Sequence, residues 1–213
     1  MEIEIKNLHK QYGNLIIFEN LNLVIPDNKM TCIYGTSGCG KTTLLDIIGF
    51  LEPYQSGTIL YDGKEIKNKK ECQDMLRKDI GFIFQDYGLI ENETVEQNLL
   101  LVHKIEKDKN RKQHIKEIFE SLQLEDVILK KKVYELSGGE QQRVTIAKIL
   151  LKDPKLILAD EPTASLDPEN KDIVLSYLRE FVENGKTVVI VSHDDNVTKL
   201  ADVLIDLKKI KEN

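Results

Sequence analysis

The sequence predicts an α/β domain built on a mixed, largely parallel sheet, with an antiparallel strand layer at its N-terminus and a helical subdomain inserted into it. Three observations carry that prediction. From residue 154 onward, apolar runs of strand length alternate with amphipathic runs of helix length, the pattern of a parallel sheet covered by helices. The first 25 residues instead hold two long alternating runs with no helix between them, as neighbouring antiparallel strands would. Between about Asp86 and Asp153 the periodicity is helical only. A chain of 213 residues suits one such domain. Its expected division is a core from 1–85 and 154–213 and a helical subdomain over 86–153.

Each element has a local reason. "EIEIKNL" and "LIIFENLNLVI" alternate as half-buried strands, and Pro26-Asp27 marks the turn after the second. "MTCIYG" is a short apolar strand running into glycines. "KTTLLDIIGF" spaces Leu44, Leu45, Ile47 and Ile48 as a buried helix ending near Gly49 and Pro53. "SGTILYDG" is a strand closed by the Asp62-Gly63 turn signal, and "IGFIFQ" a strand over Ile80 to Gln85 that ends in a polar residue. "TVEQNLLLVHK", "RKQHIKEIFESLQL" and the run after Ser137 form the helical block. "KLILAD", a helix through "NKDIVLSYLREFVENG", "TVVIVSH", a short helix and "VLIDL" complete the alternation. There is no internal repeat, low-complexity tract or Pro/Ser-rich linker.

Composition narrows the function. A net charge of −6 argues against nucleic acid as a partner, because counterion release rewards a basic surface. The lysine runs Lys67 to Lys70, Lys107 to Lys112 and Lys130 to Lys132 read as solvated loops and helix faces. Cys32, Cys39 and Cys72 have no C-x-x-C spacing and no even pairing, which fits reduced thiols in the cytoplasm. The longest apolar runs fall far below the ~20 residues that span a bilayer, so direct membrane insertion is not expected.

The strongest motif is "GTSGCGKTT": Gly35, Thr36, Ser37, Gly38, Cys39, Gly40, Lys41, Thr42 and Thr43. It follows an apolar strand and opens a helix, the context G-x-x-x-x-G-K-[ST] requires. Its glycines let backbone N–H groups turn toward phosphate oxygens, and the helix start adds partial positive charge. Lys41 would reach the β- and γ-phosphates, and the Thr42 hydroxyl would ligate Mg²⁺. "LILADE" supplies two acids where a buried strand emerges: Asp160 to hold Mg²⁺ through water, and Glu161 to activate the attacking water. Carboxylates after a strand also serve as helix caps, but beside a phosphate loop the catalytic reading is preferred.

His193 ends "TVVIVSH" at the carboxyl edge of a strand, the side where open α/β sheets bind ligands, and a γ-phosphate contact is expected. His9, His103 and His114 lack such placement. Gln85, at another strand's end, could touch both Mg²⁺ and the attacking water, with spacing alone leaving the matter even. Tyr12 precedes Gly13 in the loop between the first two strands, where stacking on adenine and packing in the core are equal readings. Ser137 and Glu140 form a legitimate capping box, which leaves Gly138 and Gly139 between them without a reason, since glycine is useful chiefly where a backbone must approach something closely.

Together these motifs resemble the nucleotide-binding subunit of an ABC transporter over essentially the whole length. The phosphate loop, the glutamine loop "FQDYGLI", the signature "LSGGEQQRV", the acidic strand "LILADEP", the "SLD" loop at Ser165 to Asp167 and the histidine of "VSH" stand in that family's order. The resemblance implies a P-loop NTPase fold that hydrolyses ATP with Mg²⁺. It also implies that Ser137, Gly138, Gly139 and Glu140 bind the ATP held by a second copy, two chains closing head-to-tail over two ATPs. By the same resemblance Tyr12 stacks on adenine, Asp167 speaks across the dimer, and a transmembrane permease is contacted near Gln85 and the helical subdomain. The chain would then sit peripherally at the inner face of the membrane.

Within the family, "GTSGCGKTTLLDIIGFLEPYQSGTILYDG" and "LILADEPTASLDP" look most like lipoprotein-releasing, macrolide-exporting and peptide-exporting ATPases. "FQDYGLIENETVEQNL" is closest to bacteriocin-export or antimicrobial-peptide-resistance members. Glu91 stands where a proline is common, and Lys148 replaces a frequent arginine. A guanine-nucleotide switch is rejected: its Asn-Lys-x-Asp base reader has no counterpart beyond Asn68-Lys69-Lys70-Glu71, read as a charged loop. The surviving alternative is an ATPase that regulates a membrane partner without moving cargo, and it uses the same catalytic residues.

Overall fold

The structure, a computed structural model, describes residues 1–102, 110–164 and 166–211. His103, part of the Lys107 to Lys112 run, and Ser165 lie outside the described residues.

Two sheets form. The first is antiparallel, in the order β2-β1-β4-β5, from β1 (Ile3–Tyr12), β2 (Leu15–Ile25), β4 (Ser56–Tyr61) and the two-residue β5 (Lys64–Glu65). The second is parallel, in the order β6-β7-β8-β3-β9, from β3 (Met30–Tyr34), β6 (Ile80–Ile83), β7 (Leu156–Asp160), β8 (Thr187–Val191) and β9 (Val203–Asp206). The expected fold class is observed, with the antiparallel strands in a sheet of their own and the described core strands paired in parallel only, where a mixed sheet was expected.

Period-two alternation in the parallel strands explains how the layers stack. Cys32, Ile157, Ala159, Val188 and Ile190 belong to one apolar cluster, with Val95, Phe119, Val144 and Leu178. Their chain neighbours Ile33, Leu156, Leu158, Val189 and Val191 belong to a second, with Phe18, Leu44 and Ile48. The sheet is thus buried on both faces, which is why its strands read as unbroken apolar runs. The second face packs against helix α1 (Lys41–Ile48) and the antiparallel sheet. The first packs against the helical block and the long α6 (Pro168–Glu183).

The block comprises α3 (Val95–Leu100), α4 (Arg111–Ser121), two short 3₁₀ turns at Asp126–Lys130 and Val133–Glu135, and α5 (Gly138–Lys152). Two further helices, α7 (Asp195–Leu200) and α8 (Leu207–Lys211), flank β9.

Three sequence readings need correction. Asn68-Lys69-Lys70-Glu71 is a helix start and not a loop: Asn68 accepts from the Glu71 N–H and caps α2 (Lys69–Lys78). Charge density hid an amphipathic helix. β6 stops at Ile83, so Gln85 lies in the turn beyond the strand. Tyr12 is not in a loop but is the last residue of β1, paired with Leu15, and the residue is 46% exposed, which removes the core-packing reading. No helix among the described residues is long and apolar enough to cross a membrane.

Candidate functional site

A cleft of about 270 Å³ opens where β3, β7 and β8 end, on the carboxyl side of the parallel sheet. Ser37, Gly38, Gly40, Lys41, Thr42, Thr43, Gln85, Asp160 and Glu161 line it, with Ile17 and Val191 as apolar walls. The glycine loop can bend into this shape because Gly38 and Gly40 take φ values of 77° and 101°, which favour glycine. At Gly40 a side chain is doubly barred: a Cβ would stand 2.7 Å from Ile17 Cγ2. Gly40 also caps α1 without any side-chain bond, and no acid sits in the first turn, so the helix offers its N-terminal N–H groups to an anion.

Lys41 Nζ donates to the carbonyls of Gly35 and Thr36 at 3.0 and 3.2 Å, curled over its own loop. Thr36 also accepts from the Cys39 N–H at 3.2 Å. Gly35, Thr36 and Cys39 take part in these bonds within the loop and are not among the residues that line the cleft. None of the three cysteines forms a disulfide, and burial pushes the Cys32 thiol up to about 11.

The acids behave differently from each other. Burial pushes the Asp160 carboxyl above its usual range against the pull of the Thr42 hydroxyl that bonds it, and the neighbouring Glu161 charge adds to the rise. One oxygen, Asp160 Oδ1, is buried without a partner. An orphaned carboxylate oxygen beside a hydroxyl is the hard donor set that Mg²⁺ takes, so the residues fit that ion. Among the described residues no cluster of three acidic, histidine or cysteine side chains forms, so the remaining ligands of such an ion would be water and phosphate oxygens.

Glu161 is held on three sides. Its N–H donates to the Val191 carbonyl at 2.9 Å, and it adopts φ 44°, a left-handed conformation uncommon for a residue with a side chain. One carboxylate oxygen accepts from Ser192 Oγ at 3.1 Å, and the other meets His193 Nδ1 at 2.7 Å. His193 itself is exposed and reaches this carboxylate from the loop after β8. Ser192 is fully buried and was not singled out by sequence reasoning, although a hydroxyl next to a strand-end histidine was the available signal.

Tyr12 stands apart from the cleft lining. Lys10 Nζ lies 4.2 Å from its ring centroid, and that ammonium is fixed by Glu52 at 2.5 Å and the Pro53 carbonyl at 2.7 Å.

Ser137, Gly138, Gly139, Glu140 and Asp167 are absent from the cleft lining. The capping box forms as expected: Ser137 N–H and Oγ both donate to Glu140 Oε2 at 2.8 Å, and Glu140 N–H donates to Ser137 Oγ at 3.3 Å. Those bonds, the Ser137 N–H foremost, hold the Glu140 carboxyl below its usual range. The two glycines have reasons inside the chain. A Cβ at Gly138 would stand 2.9 Å from Tyr87 Oη, and one at Gly139 would stand 2.5 Å from Asn170 Nδ2. Asp167 caps α6, accepting from the Asn170 N–H at 3.0 Å.

The chain is similar to known proteins in sequence and in fold. Residues 18–164 match the model of a family described as ABC transporter. The chain is 39% identical, over 97% of its length and 95% of the relative's, to an uncharacterized ABC transporter ATP-binding protein of Methanocaldococcus jannaschii. It is 40% identical over 97% of its length to the macrolide export ATP-binding/permease protein MacB of Campylobacter jejuni, of which it spans 33%. Among solved structures it is similar to the bacterial ABC transporter cassette MJ0796 in its dimeric form, with a TM-score of 0.84, 34% identity, and coverage of 96% of this chain and 94% of that one. The same cassette, as a dimer in a post-hydrolysis state bound to ADP and Pi, also matches with a TM-score of 0.84 and 33% identity.

Proposed function

The chain belongs to the ABC transporter family, and on that premise we propose that it is an ATP-hydrolysing motor subunit. It closes head-to-tail with a second copy over two ATP molecules and drives a separate membrane permease in the export of a peptide, lipoprotein or drug-like substrate. One observation carries the reading: the cleft with Lys41, Asp160 and Glu161 lacks Ser137 to Glu140, which occupy the N-terminus of another helix. That the second glycine-bearing helix end does not line its own chain's phosphate cradle supports a site completed by a second copy.

In this reading Lys41 leaves the Gly35 and Thr36 carbonyls for the β- and γ-phosphate oxygens, and the N–H groups at the start of α1 hold the phosphates in place. Thr42 and Asp160, with Gln85 beside them, would hold Mg²⁺, which when bound would neutralise charge on the phosphate oxygens. Glu161 accepts a proton from water as the water oxygen bonds to the γ-phosphorus and the bond to the ADP oxygen breaks, giving ADP and phosphate. Ser192 holds the Glu161 carboxylate for that task. His193 exchanges its contact with Glu161 for one with the γ-phosphate, and Gln85 orients the water. Ser137 and the N–H groups of Gly138 and Gly139 face the nucleotide of the second copy.

The permease contact is supported by a second groove, of about 290 Å³, lined by Phe82, Phe84, Leu101, Val102, Ile149 and Lys152 among others. Phe84 stacks on Phe82 at 5.1 Å and lines this groove, while its chain neighbour Gln85 lines the nucleotide cleft. One turn therefore touches both sites, a short path by which closure over ATP reaches a bound permease from the cytoplasmic side. The groove lies where the core meets the subdomain over 86–153.

Glu161→Gln tests the reading, since the amide keeps shape and hydrogen bonding but removes the base. The variant is expected to lose most hydrolysis and to elute as a dimer with ATP and Mg²⁺ on size exclusion. A monomer under those conditions, with hydrolysis near wild type, would contradict it.

A further inference from the structure

Asn170 stands where the Ser137–Gly139 turn, assigned above to the second copy's ATP, meets Asp167, which the resemblance directs across the dimer. Its Nδ2 donates to Asp167 Oδ2 at 2.6 Å, and its backbone N–H donates to Asp167 Oδ1 at 3.0 Å. Its Oδ1 accepts from the Arg143 guanidinium, one helical turn along α5 from Gly139. Arg143 Nε is buried without a partner, so this bond to Asn170 would be costly to lose. The same amide lies flat against Gly139: a Cβ there would stand 2.5 Å from Nδ2 and 2.6 Å from both Cγ and Oδ1. One side chain thus ties the cap of α6 to Arg143 in α5 and fills the space beside Gly139 one turn earlier.

We propose that Asn170 is a positioning residue that fixes the Ser137–Gly139 turn relative to Asp167, and that residue 139 is glycine because Asn170 fills the place of its side chain. The proposal rests on the composite-site reading above. If both stretches face the second copy, holding them as one edge means that closure need not order them separately, and preorganisation of this kind strengthens association. Asn170 touches no nucleotide in this account and acts through Gly139, Arg143 and Asp167.

The sign of one substitution exposes the contact. Gly139 has ordinary helical geometry, since its φ is not among the positive values, so alanine should by propensity stabilise the helix. Packed against Asn170, however, the added methyl has no room, and overpacking opposes the gain.

The experiment uses the full chain carrying Glu161→Gln as parent, with Gly139→Ala, Asn170→Ala and the pair added. Thermal unfolding without nucleotide is read first. Gly139→Ala should lower the unfolding temperature when Asn170 is present and raise it in the Asn170→Ala background. ATP-driven dimerisation, read by sedimentation well below every unfolding temperature, should weaken about fivefold for Asn170→Ala and about tenfold or more for Gly139→Ala. The pair should return to the level of Asn170→Ala alone. The same sign for Gly139→Ala in both backgrounds would overturn the contact, and an unchanged dimer for Asn170→Ala would overturn the positioning role. A parent that fails to dimerise with ATP would remove the composite-site reading and the positioning role with it, while the reversal of sign would still report on Gly139.

Discussion

Lys10 is 3% exposed yet carries an ammonium, and it is tolerated because Glu52, the Pro53 carbonyl and the Tyr12 ring surround it. One face of the Tyr12 ring is thereby fixed and the ring is presented to solvent at the end of β1, as a platform for a flat base should be. Stacking there should contribute about 1 kcal/mol, so Tyr12→Ala is expected to weaken ATP binding about five- to tenfold in calorimetry, while Tyr12→Phe changes little. Asp160 makes the opposite bargain. Its carboxyl is pushed up by burial, so the folded chain holds that proton more tightly than the unfolded chain does. Stability from this group is therefore lost as pH rises through the window between its ordinary and its raised value, and stays lost at neutral pH. Asp160→Asn should unfold at a higher temperature than wild type at neutral pH without nucleotide, with the gap closing as the buffer is acidified below the carboxylate range. It should also abolish the added stability that Mg²⁺ with ATP gives the wild type.

Helix α5 is the element that makes the rest cohere. Thr145 Oγ1 donates to the Tyr87 carbonyl at 2.9 Å, Lys148 Nζ to the Gly88 carbonyl at 3.1 Å, and Gln142 Nε2 to the Pro162 carbonyl at 3.1 Å. The helix thus grips both the turn that follows β6 and the loop that follows Glu161. Thr145→Val keeps the shape of the buried side chain and removes a bond to a carbonyl, so it should cost about 1–2 kcal/mol in urea unfolding. No loss of stability would mean that the helix and the Tyr87 turn are not coupled there. What was legible in the sequence divides along the same line. The strands of the parallel sheet were plain because both faces are buried, the phosphate loop because its glycines are demanded by local backbone geometry, and "LILADE" because two acids end a buried apolar strand. Helix α2 was missed because its charged surface masked the period. The partners of Gly138 and Gly139 could not be read, because Tyr87 and Asn170 are distant in sequence and only the fold brings them there. Ser192 carried a weak signal beside His193, but its partner Glu161 stands at the end of the neighbouring strand and only the fold brings the two together.

At the scale of the whole molecule, the account stands on the claim that one chain carries two half-sites and no complete one. Lys41→Ala empties the cradle, and Ser137→Arg puts a bulky cation on the opposite half, so neither variant should pair with itself. In a mixture, one of the two composite sites joins damaged halves and the other joins intact halves. The deciding measurement is therefore ATP-dependent capture between the two variants, each also carrying Glu161→Gln to prevent turnover and one bearing an affinity tag. The account predicts that the tagged variant retains the untagged one when ATP and Mg²⁺ are present, and that neither variant captures an untagged copy of itself. Absence of the mixed pair under conditions where the Glu161→Gln parent dimerises, or equal capture by each variant alone, would contradict it.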